Sequence, residues 1–175
     1  MRNRAIYFEI MNRTGGLLGL ILMLLLVGCG NTEKQEEQPS VRLISFSELE
    51  QEISKPSGQL KVINFWATWC KPCIEEMPYF DEIAKQQGDV VTLYFVSMDF
   101  KEDLARVSSF VEKKKPLGRV MLLDDIKYDS WMPKVDSTWS GAIPATLFVD
   151  PAGNQYFYEK SFTQNELSDL ISGLL

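Results

Sequence analysis

The sequence contains no histidine and only three cysteines in 175 residues. Without histidine, the protein has no imidazole to activate a nucleophile, to act as a general base or to bind a metal. Long apolar runs are also scarce, because the longest, residues 17–27, is far shorter than the roughly 20 residues that a membrane-spanning helix needs. A hydrophobic fraction of 45% is nevertheless enough to build the core of one domain.

The N-terminal segment has the features of a secretory signal peptide. Arginines precede the apolar run, and the run ends in Leu26-Val27-Gly28-Cys29. This ending resembles the lipobox of bacterial lipoproteins, in which the cysteine is lipid-modified and becomes the mature N-terminus. We therefore predict a lipoprotein signal peptide over residues 1–28 and lipidation at Cys29. The alternative is an uncleaved signal anchor with an incidental cysteine.

Cleavage before Cys29 has consequences for charge and location. It removes three arginines and one glutamate, so the formal charge of −6 becomes two units more negative. An acidic protein argues against a nucleic-acid partner. A lipid anchor implies an extracytoplasmic position at the bacterial cell membrane, where disulfides persist. Since residues 31–40 contain no apolar side chain, we predict a flexible tether over 29–40 and a folded domain over 41–175.

Apolar periodicity and turn residues predict an α/β domain from Val41 onward. Strands are expected over 41–44, 60–66, 90–97, 119–123, 145–149 and 155–158, and helices over 47–53 (with Ser47 as its cap), 70–87, 102–115 and 163–174. This order indicates a mixed, mostly parallel central sheet with helices on both faces, closed by a β-hairpin and a helix. No element is predicted over 128–140, whose aromatic residues are expected to pack.

A pair of cysteines lies where a predicted buried strand gives way to a helix, in Trp69-Cys70-Lys71-Pro72-Cys73. Two cysteines at this spacing can form a disulfide with little backbone movement. The partial positive charge of a helix N-terminus favours the thiolate form of Cys70. The pattern predicts thiol–disulfide exchange, with Cys70 as the nucleophile and Cys73 as the resolving thiol.

The cysteine pair has two other possible roles, a metal site and a structural crosslink. A zinc site would need two more cysteine or histidine ligands, which residues 41–175 do not contain. A purely structural disulfide is the second alternative, although a bridge between residues only three positions apart restrains the unfolded chain little. Between the cysteines, Pro72 is expected to stiffen the loop, and Lys71 and Pro72 to tune the redox potential.

Three separated blocks of the sequence resemble the thioredoxin superfamily, in particular its membrane-tethered extracytoplasmic branch, the ResA/TlpA type. These blocks are Phe65–Cys73, Glu76-Met77-Pro78 and Gly141–Thr146. The resemblance runs from about Val41 to the C-terminus. It implies a thioredoxin-like fold whose redox centre is a Cys70–Cys73 disulfide, with no other cofactor and no metal.

The resemblance also suggests a proton-transfer residue. Cytoplasmic thioredoxins carry a buried aspartate where this chain has Asn64, and the branch with asparagine there carries an acid three residues after the second cysteine. That acid is Glu76 here, one helical turn from Cys73. Glu76 is therefore expected to accept and return protons as the thiols cycle; the alternative is an ordinary surface glutamate.

Three further residues are assigned to substrate binding by the same resemblance. It implies that Pro144 follows a cis peptide bond and packs against the disulfide. It also implies that Ile143 offers backbone groups to an extended partner peptide. Trp69 is expected to cover the active-site surface.

The function that the resemblance implies is a lipid-anchored, extracytoplasmic thiol–disulfide oxidoreductase that acts on protein cysteines, in the reducing direction. Its implied electron donor is a membrane-embedded thiol reductase, and one implied client set is apocytochrome c during cytochrome c maturation. The alternatives are a disulfide oxidase or isomerase of the same fold, and a non-catalytic lipoprotein binding module. A peroxidase or copper chaperone of related fold matches this cysteine context poorly.

Overall fold

The computed structural model describes residues 41–175. The predicted signal peptide (1–28), Cys29 and the predicted tether (29–40) lie outside the described residues. Those domain boundaries stay predictions.

Within residues 41–175 the chain forms six strands and five α-helices. In chain order they are β1 (Arg42–Ile44), α1 (Phe46–Ser54), β2 (Leu60–Trp66), α2 (Lys71–Gln87), β3 (Val91–Ser97), α3 (Leu104–Lys114), β4 (Arg119–Leu123), α4 (Tyr128–Val135), β5 (Ala145–Val149), β6 (Gln155–Tyr158) and α5 (Gln164–Leu174). A short 3-10 turn, Lys101–Asp103, leads into α3.

The strands form one mixed sheet in the order β1-β4-β3-β2-β5-β6. Strands β1 to β4 are parallel, whereas β5 runs antiparallel to both β2 and β6. All seven residues of β2 are buried, as expected for a mainly apolar central strand covered on both faces. The predicted α/β class, mostly parallel sheet and terminal hairpin are confirmed.

Helices cover both faces of this sheet, and the alternation of side chains along each strand divides the core in two. One face packs against α2, α3 and α5, through residues such as Phe80, Val111 and Leu167. The other face packs against α1 and α4, through residues such as Leu49 and Trp131.

Helix α1 begins two residues earlier than the sequence predicted. Its N-cap is Ser45, whose hydroxyl accepts a hydrogen bond from the Glu48 N–H while the Glu48 carboxylate accepts one from the Ser45 N–H. The expectation that Ser47 caps this helix is therefore wrong. Both serines begin a capping-box pattern, but only the earlier start makes Phe46 a helical residue and buries it with Leu49 and Ile53.

Helix α4 was not predicted, because the sequence contains no local signal for it. Its N-cap, Lys127, makes no side-chain capping bond, and Pro133 lies inside the helix. The helix is held instead by Trp131, which is 1% exposed and stacks on Phe46 with ring centroids 5.2 Å apart. The Trp131 indole N–H also donates to the Asp125 carbonyl oxygen.

We expect the Trp131→Ala variant to lose about 3–5 kcal/mol of unfolding free energy, the usual cost of truncating a fully buried large aromatic side chain. Urea denaturation followed by circular dichroism measures this loss. The matched control is Ile126→Ala, because Ile126 is 74% exposed on the preceding loop and its truncation should change stability by no more than about 0.5 kcal/mol. Equal losses in the two variants would contradict a packing role for Trp131.

Candidate active site

The cysteine pair lies at the start of α2, directly after the loop that leaves the central strand β2. Cys70 is the N-cap of the helix, and the Cys73 N–H points at the Cys70 sulfur at 3.4 Å. Pro72 is in the first turn, where the missing N–H costs nothing because helical partners are absent there. The two sulfurs are therefore brought together by the local structure between β2 and α2.

The two sulfurs form a disulfide in this structure, with S–S 2.00 Å and Cα–Cα 5.4 Å. Cys73 is completely buried and Cys70 is 5% exposed, so Cys70 is the sulfur on the accessible side. Beside it, Trp69 is 64% exposed, an unusually open position for a tryptophan.

A second loop reaches the disulfide from the other end of the chain. Because β5 is antiparallel to β2 with Phe65 opposite Ala145, the residues before β5 lie beside those after β2. The Ile143–Pro144 peptide bond is cis, and the Ile143 carbonyl oxygen lies 3.7 Å from the Cys70 sulfur. The structure therefore brings Ile143 and Cys70 together.

Glu76 is a buried carboxylate on the first turns of α2. It is 1% exposed, and accepts hydrogen bonds from the Asn64 side-chain amide at 3.0 Å and the Phe162 N–H at 2.8 Å. Burial raises the pKa of Glu76 from 4.5 to about 7, and the two hydrogen bonds only partly oppose this rise. The position is thus not the ordinary helix-surface glutamate that was the alternative.

The neighbouring acid, Glu75, has a different environment. Its side chain is 63% exposed and pairs with the Lys71 ammonium at 3.5 Å. Lys71 is itself 85% exposed, so this pair contributes little to stability. The two adjacent glutamates therefore differ in burial and in their partners, and only Glu76 lies on the interior side of the helix that carries the disulfide.

The partner of Glu76, Asn64, has an unused acceptor. Its amide nitrogen donates to both Glu76 and the Thr146 hydroxyl, at 3.0 and 3.1 Å, while its oxygen has no partner within residues 41–175. A protonated carboxyl has an O–H to donate, and a rotated asparagine amide would present its oxygen to that O–H. The cluster is therefore able to accommodate Glu76 with or without its proton.

A second buried carboxylate, Asp99, supports the cysteine loop from the neighbouring strand. It accepts hydrogen bonds from the Thr68 N–H at 2.8 Å and the Thr68 hydroxyl at 2.6 Å. The Arg106 guanidinium pairs with the same carboxylate at 2.9 Å. Burial alone would raise the pKa of Asp99, but the bonds from Thr68 and Arg106 outweigh burial and lower it.

Sequence reasoning missed Asp99, Thr68 and Arg106. The available signal was the position of Asp99, which follows the carboxyl end of β3 next to the strand that carries the cysteine loop. Carboxyl ends of neighbouring parallel strands meet at one edge of a sheet, where functional loops gather.

Residues 41–175 contain no group of three or more histidine, cysteine, aspartate or glutamate side chains placed to hold a metal ion. Over the same residues, no helix has both the length and the apolar character needed to cross a bilayer.

Three features define a thioredoxin-like protein. They are a mixed sheet with helices on both faces, a CxxC disulfide at the N-terminus of the helix after the central strand, and a cis-proline loop beside that disulfide. The chain matches the AhpC/TSA family over residues 36–154. It therefore belongs to that family, and the predicted membership of the thioredoxin superfamily is confirmed.

Curated relatives point to one branch. The thiol-disulfide oxidoreductase ResA of Oceanobacillus iheyensis is 31% identical over 125 residues, which is 71% of this chain and 55% of that protein. The ResA of Geobacillus thermodenitrificans is 29% identical over 149 residues, covering 77% of this chain and 80% of the relative. For the first relatives, the match spans only about half of their length. These similarities support the ResA/TlpA type.

Among solved structures, DsbF of MTB, seen in mixed oxidised and reduced forms, is 28% identical with a TM-score of 0.53. The similarity covers 67% of this chain and 82% of that one. The thioredoxin-like fold is thus supported independently of the CxxC motif.

The raised pKa of Glu76 predicts a pH-dependent stability of the oxidised protein. Below pH 4.5 both folded and unfolded chains carry the proton. Between pH 4.5 and about 7 the unfolded chain releases it first, so stability falls as pH rises, by about 3 kcal/mol in all. Glu76→Gln should remove this fall, so that its stability relative to the wild type is higher at pH 8 than at pH 5.

Urea unfolding at a series of pH values measures this difference, with the disulfide kept intact. Glu75→Gln is the matched control, because the adjacent exposed acid should leave the wild-type pH dependence unchanged. Parallel pH profiles for the wild type and Glu76→Gln would contradict the raised pKa.

Proposed function

We propose that the protein is a thiol–disulfide oxidoreductase that exchanges disulfides with protein cysteines through Cys70 and Cys73, as a reductase. The observation that carries this proposal is the Cys70–Cys73 disulfide, which has one reachable sulfur and lies on the same helix as a buried carboxyl of pKa about 7. The names of the ResA relatives support the same reaction class.

The reduced protein begins the reaction. The Cys70 thiolate attacks one sulfur of a client disulfide; a new S–S bond forms, the client bond breaks, and one client thiolate leaves. Cys73 then loses its proton and attacks the Cys70 sulfur of this mixed disulfide, releasing the second client thiolate. Two electrons pass from the protein to the client, and the protein is left with the Cys70–Cys73 disulfide.

Glu76 takes the proton that Cys73 must lose. It is one helical turn from Cys73, and both side chains are almost completely buried, so Cys73 has little contact with bulk water. A pKa of about 7 makes the carboxyl a partial base at neutral pH, the range in which a proton can be both taken up and returned.

The polypeptide client binds beside Cys70. In support, the Ile143 carbonyl lies 3.7 Å from the sulfur, and Trp69 presents a large exposed apolar surface next to it. We assign Trp69, Ile143 and Pro144 to client binding. Lys71 and Pro72, between the cysteines, tune the redox potential of the pair.

The proposed location is the extracytoplasmic side of the bacterial cell membrane, with a lipid anchor at Cys29, a tether over 29–40 and the catalytic domain over 41–175. The lipobox-like residues 26–29 after an apolar run support this arrangement. A membrane-embedded thiol reductase supplies the electrons, and apocytochrome c is one client whose cysteines need reduction. No nucleic acid is involved.

The wild-type domain should reduce insulin disulfides in the presence of dithiothreitol, as measured by insulin precipitation. Cys70→Ser should abolish this activity because it removes the attacking sulfur. When reduced Cys73→Ser is mixed with insulin in the absence of dithiothreitol, the reaction should stop after the first step and accumulate a mixed disulfide, visible by mass spectrometry. If both sulfurs react with iodoacetamide no faster than free cysteine, and insulin stays oxidised, a non-catalytic binding module is the better description.

The reducing direction predicts a low potential. Members of the superfamily span about −270 to −120 mV, and we expect this pair near the reducing end. Equilibration with a glutathione couple, followed by alkylation and mass analysis, measures the potential. A value near the oxidising end would assign the protein as an oxidase or isomerase, with Cys70 still the nucleophile.

A further inference from the structure

The loop that brings Ile143 to Cys70 is held by a single carboxylate, Glu159. Its two oxygens accept hydrogen bonds from the Ser140 N–H at 3.0 Å, from the Ala142 N–H at 2.8 Å, and from the Ser140 hydroxyl. The Ser140 hydroxyl makes the largest contribution to lowering the pKa of Glu159, and the two N–H groups add to it. Glu159 is therefore ionised at neutral pH.

The hairpin explains why Glu159 reaches this loop. Thr146 is opposite Tyr158 in the β5–β6 pairing, so the residue after Tyr158 lies beside the residues that precede β5. Within the loop, Gly141 has φ +97°, a backbone conformation that L side chains rarely adopt. Gly141 lies between Ser140 and Ala142, and its backbone conformation lets the N–H groups of both neighbours point to the Glu159 carboxylate.

The loop is held on its other side by Trp139. The Trp139 indole N–H donates to the Ala142 carbonyl at 3.0 Å, and Trp139 is 7% exposed. Ala142 is thus fixed at both its N–H and its carbonyl. The next residue is Ile143, whose carbonyl lies 3.7 Å from the Cys70 sulfur.

Glu159 differs from the other carboxylates that accept similar bonds. Glu166 accepts from the Thr163 N–H and hydroxyl, but it caps helix α5 and also pairs with Lys160 at 3.0 Å. Across the part of the chain that the structure describes, Glu159 forms no ion pair within 4.0 Å and caps no helix. Its described side-chain hydrogen bonds all go to the loop beside Cys70.

We propose that Glu159 is a positioning residue for disulfide exchange: it fixes the 140–143 loop so that the Ile143 backbone stands at a set distance from Cys70 when a polypeptide cysteine approaches. This inference rests on the proposed function. A polypeptide that lies along the loop should depend on this placement, whereas a small disulfide needs access to the sulfur only. A displacement of about 1 Å at such a site is enough to slow a positioned reaction severely.

The test compares Glu159→Ala and Glu159→Gln with Glu166→Ala. Exchange of the reduced protein is measured with insulin and with the small disulfide 5,5′-dithiobis(2-nitrobenzoate). In Glu159→Ala the ratio of the kcat/KM for insulin to the rate constant for the small disulfide should fall about tenfold, with most of the loss in KM. Glu159→Gln keeps one acceptor oxygen and should recover part of the loss. Glu166→Ala, which loses a comparable set of bonds at the N-terminus of α5 and none in the 140–143 loop, should keep the wild-type ratio.

A second measurement reports on the loop without any redox reaction. In NMR spectra of the oxidised protein, the Ala142 amide and Trp139 indole N–H resonances should shift in Glu159→Ala and remain unchanged in Glu166→Ala. Unchanged resonances, an unchanged ratio, or an equal fall in the ratio for Glu166→Ala would each overturn the proposal. Failure of the wild type to reduce insulin would instead overturn the proposed function, which the NMR measurement does not depend on.

Discussion

The antiparallel register of β5 against β2 is the constraint on which the site depends. Phe65 opposite Ala145 brings the loop after β2 beside the loop before β5, and so Ile143 beside Cys70. The same register places Asn64 opposite Thr146, and these two side chains are hydrogen-bonded. A slip of one residue would turn Asn64 to the other face of the sheet. One pairing therefore sets both the surroundings of the sulfur and the buried polar cluster.

The proposed proton transfer depends on the burial of one carboxyl, that of Glu76, away from water. Glu75 and Glu76 are the same residue type in consecutive positions of α2, yet only Glu76 faces the interior. Burial disfavours the charged form of Glu76, and two hydrogen bonds moderate the effect without cancelling it. The result is a carboxyl with a pKa of about 7, three residues along the helix from Cys73, the thiol that loses its proton in the proposed mechanism.

Two further carboxylates hold the two loops that meet at the disulfide. Asp99 binds Thr68 in the cysteine loop, and Glu159 binds Ser140 and Ala142 in the opposite loop. In both cases a carboxylate accepts backbone N–H groups that no helix or strand satisfies. Irregular loops need such acceptors to adopt one conformation, and an exchange reaction needs the two loops in one relative position.

The sequence by itself determined the local elements that carry the reacting cysteines. These are a buried strand, a loop, and a helix that begins at the cysteine pair. These features are local, since periodicity, turn residues and CxxC spacing all involve neighbours in the chain. All six strands and the disulfide helix were predicted to within one residue at each end. Helix α4 was not predicted, because Trp131 rather than any cap or propensity holds it.

The family resemblance already named Glu76, but only the tertiary structure decided the surroundings of the acids near the disulfide. Glu76 receives a hydrogen bond from Phe162, 86 residues away, and the Cys70 sulfur meets a carbonyl 73 residues away. Asp99 and Glu159 lie in segments with no motif of their own. The pKa of a carboxyl and the placement of a loop depend on groups distant in the chain. The sequence therefore identifies the reacting sulfurs, whereas burial and long-range hydrogen bonds set the pKa of the nearby carboxyl and the position of the loop beside Cys70.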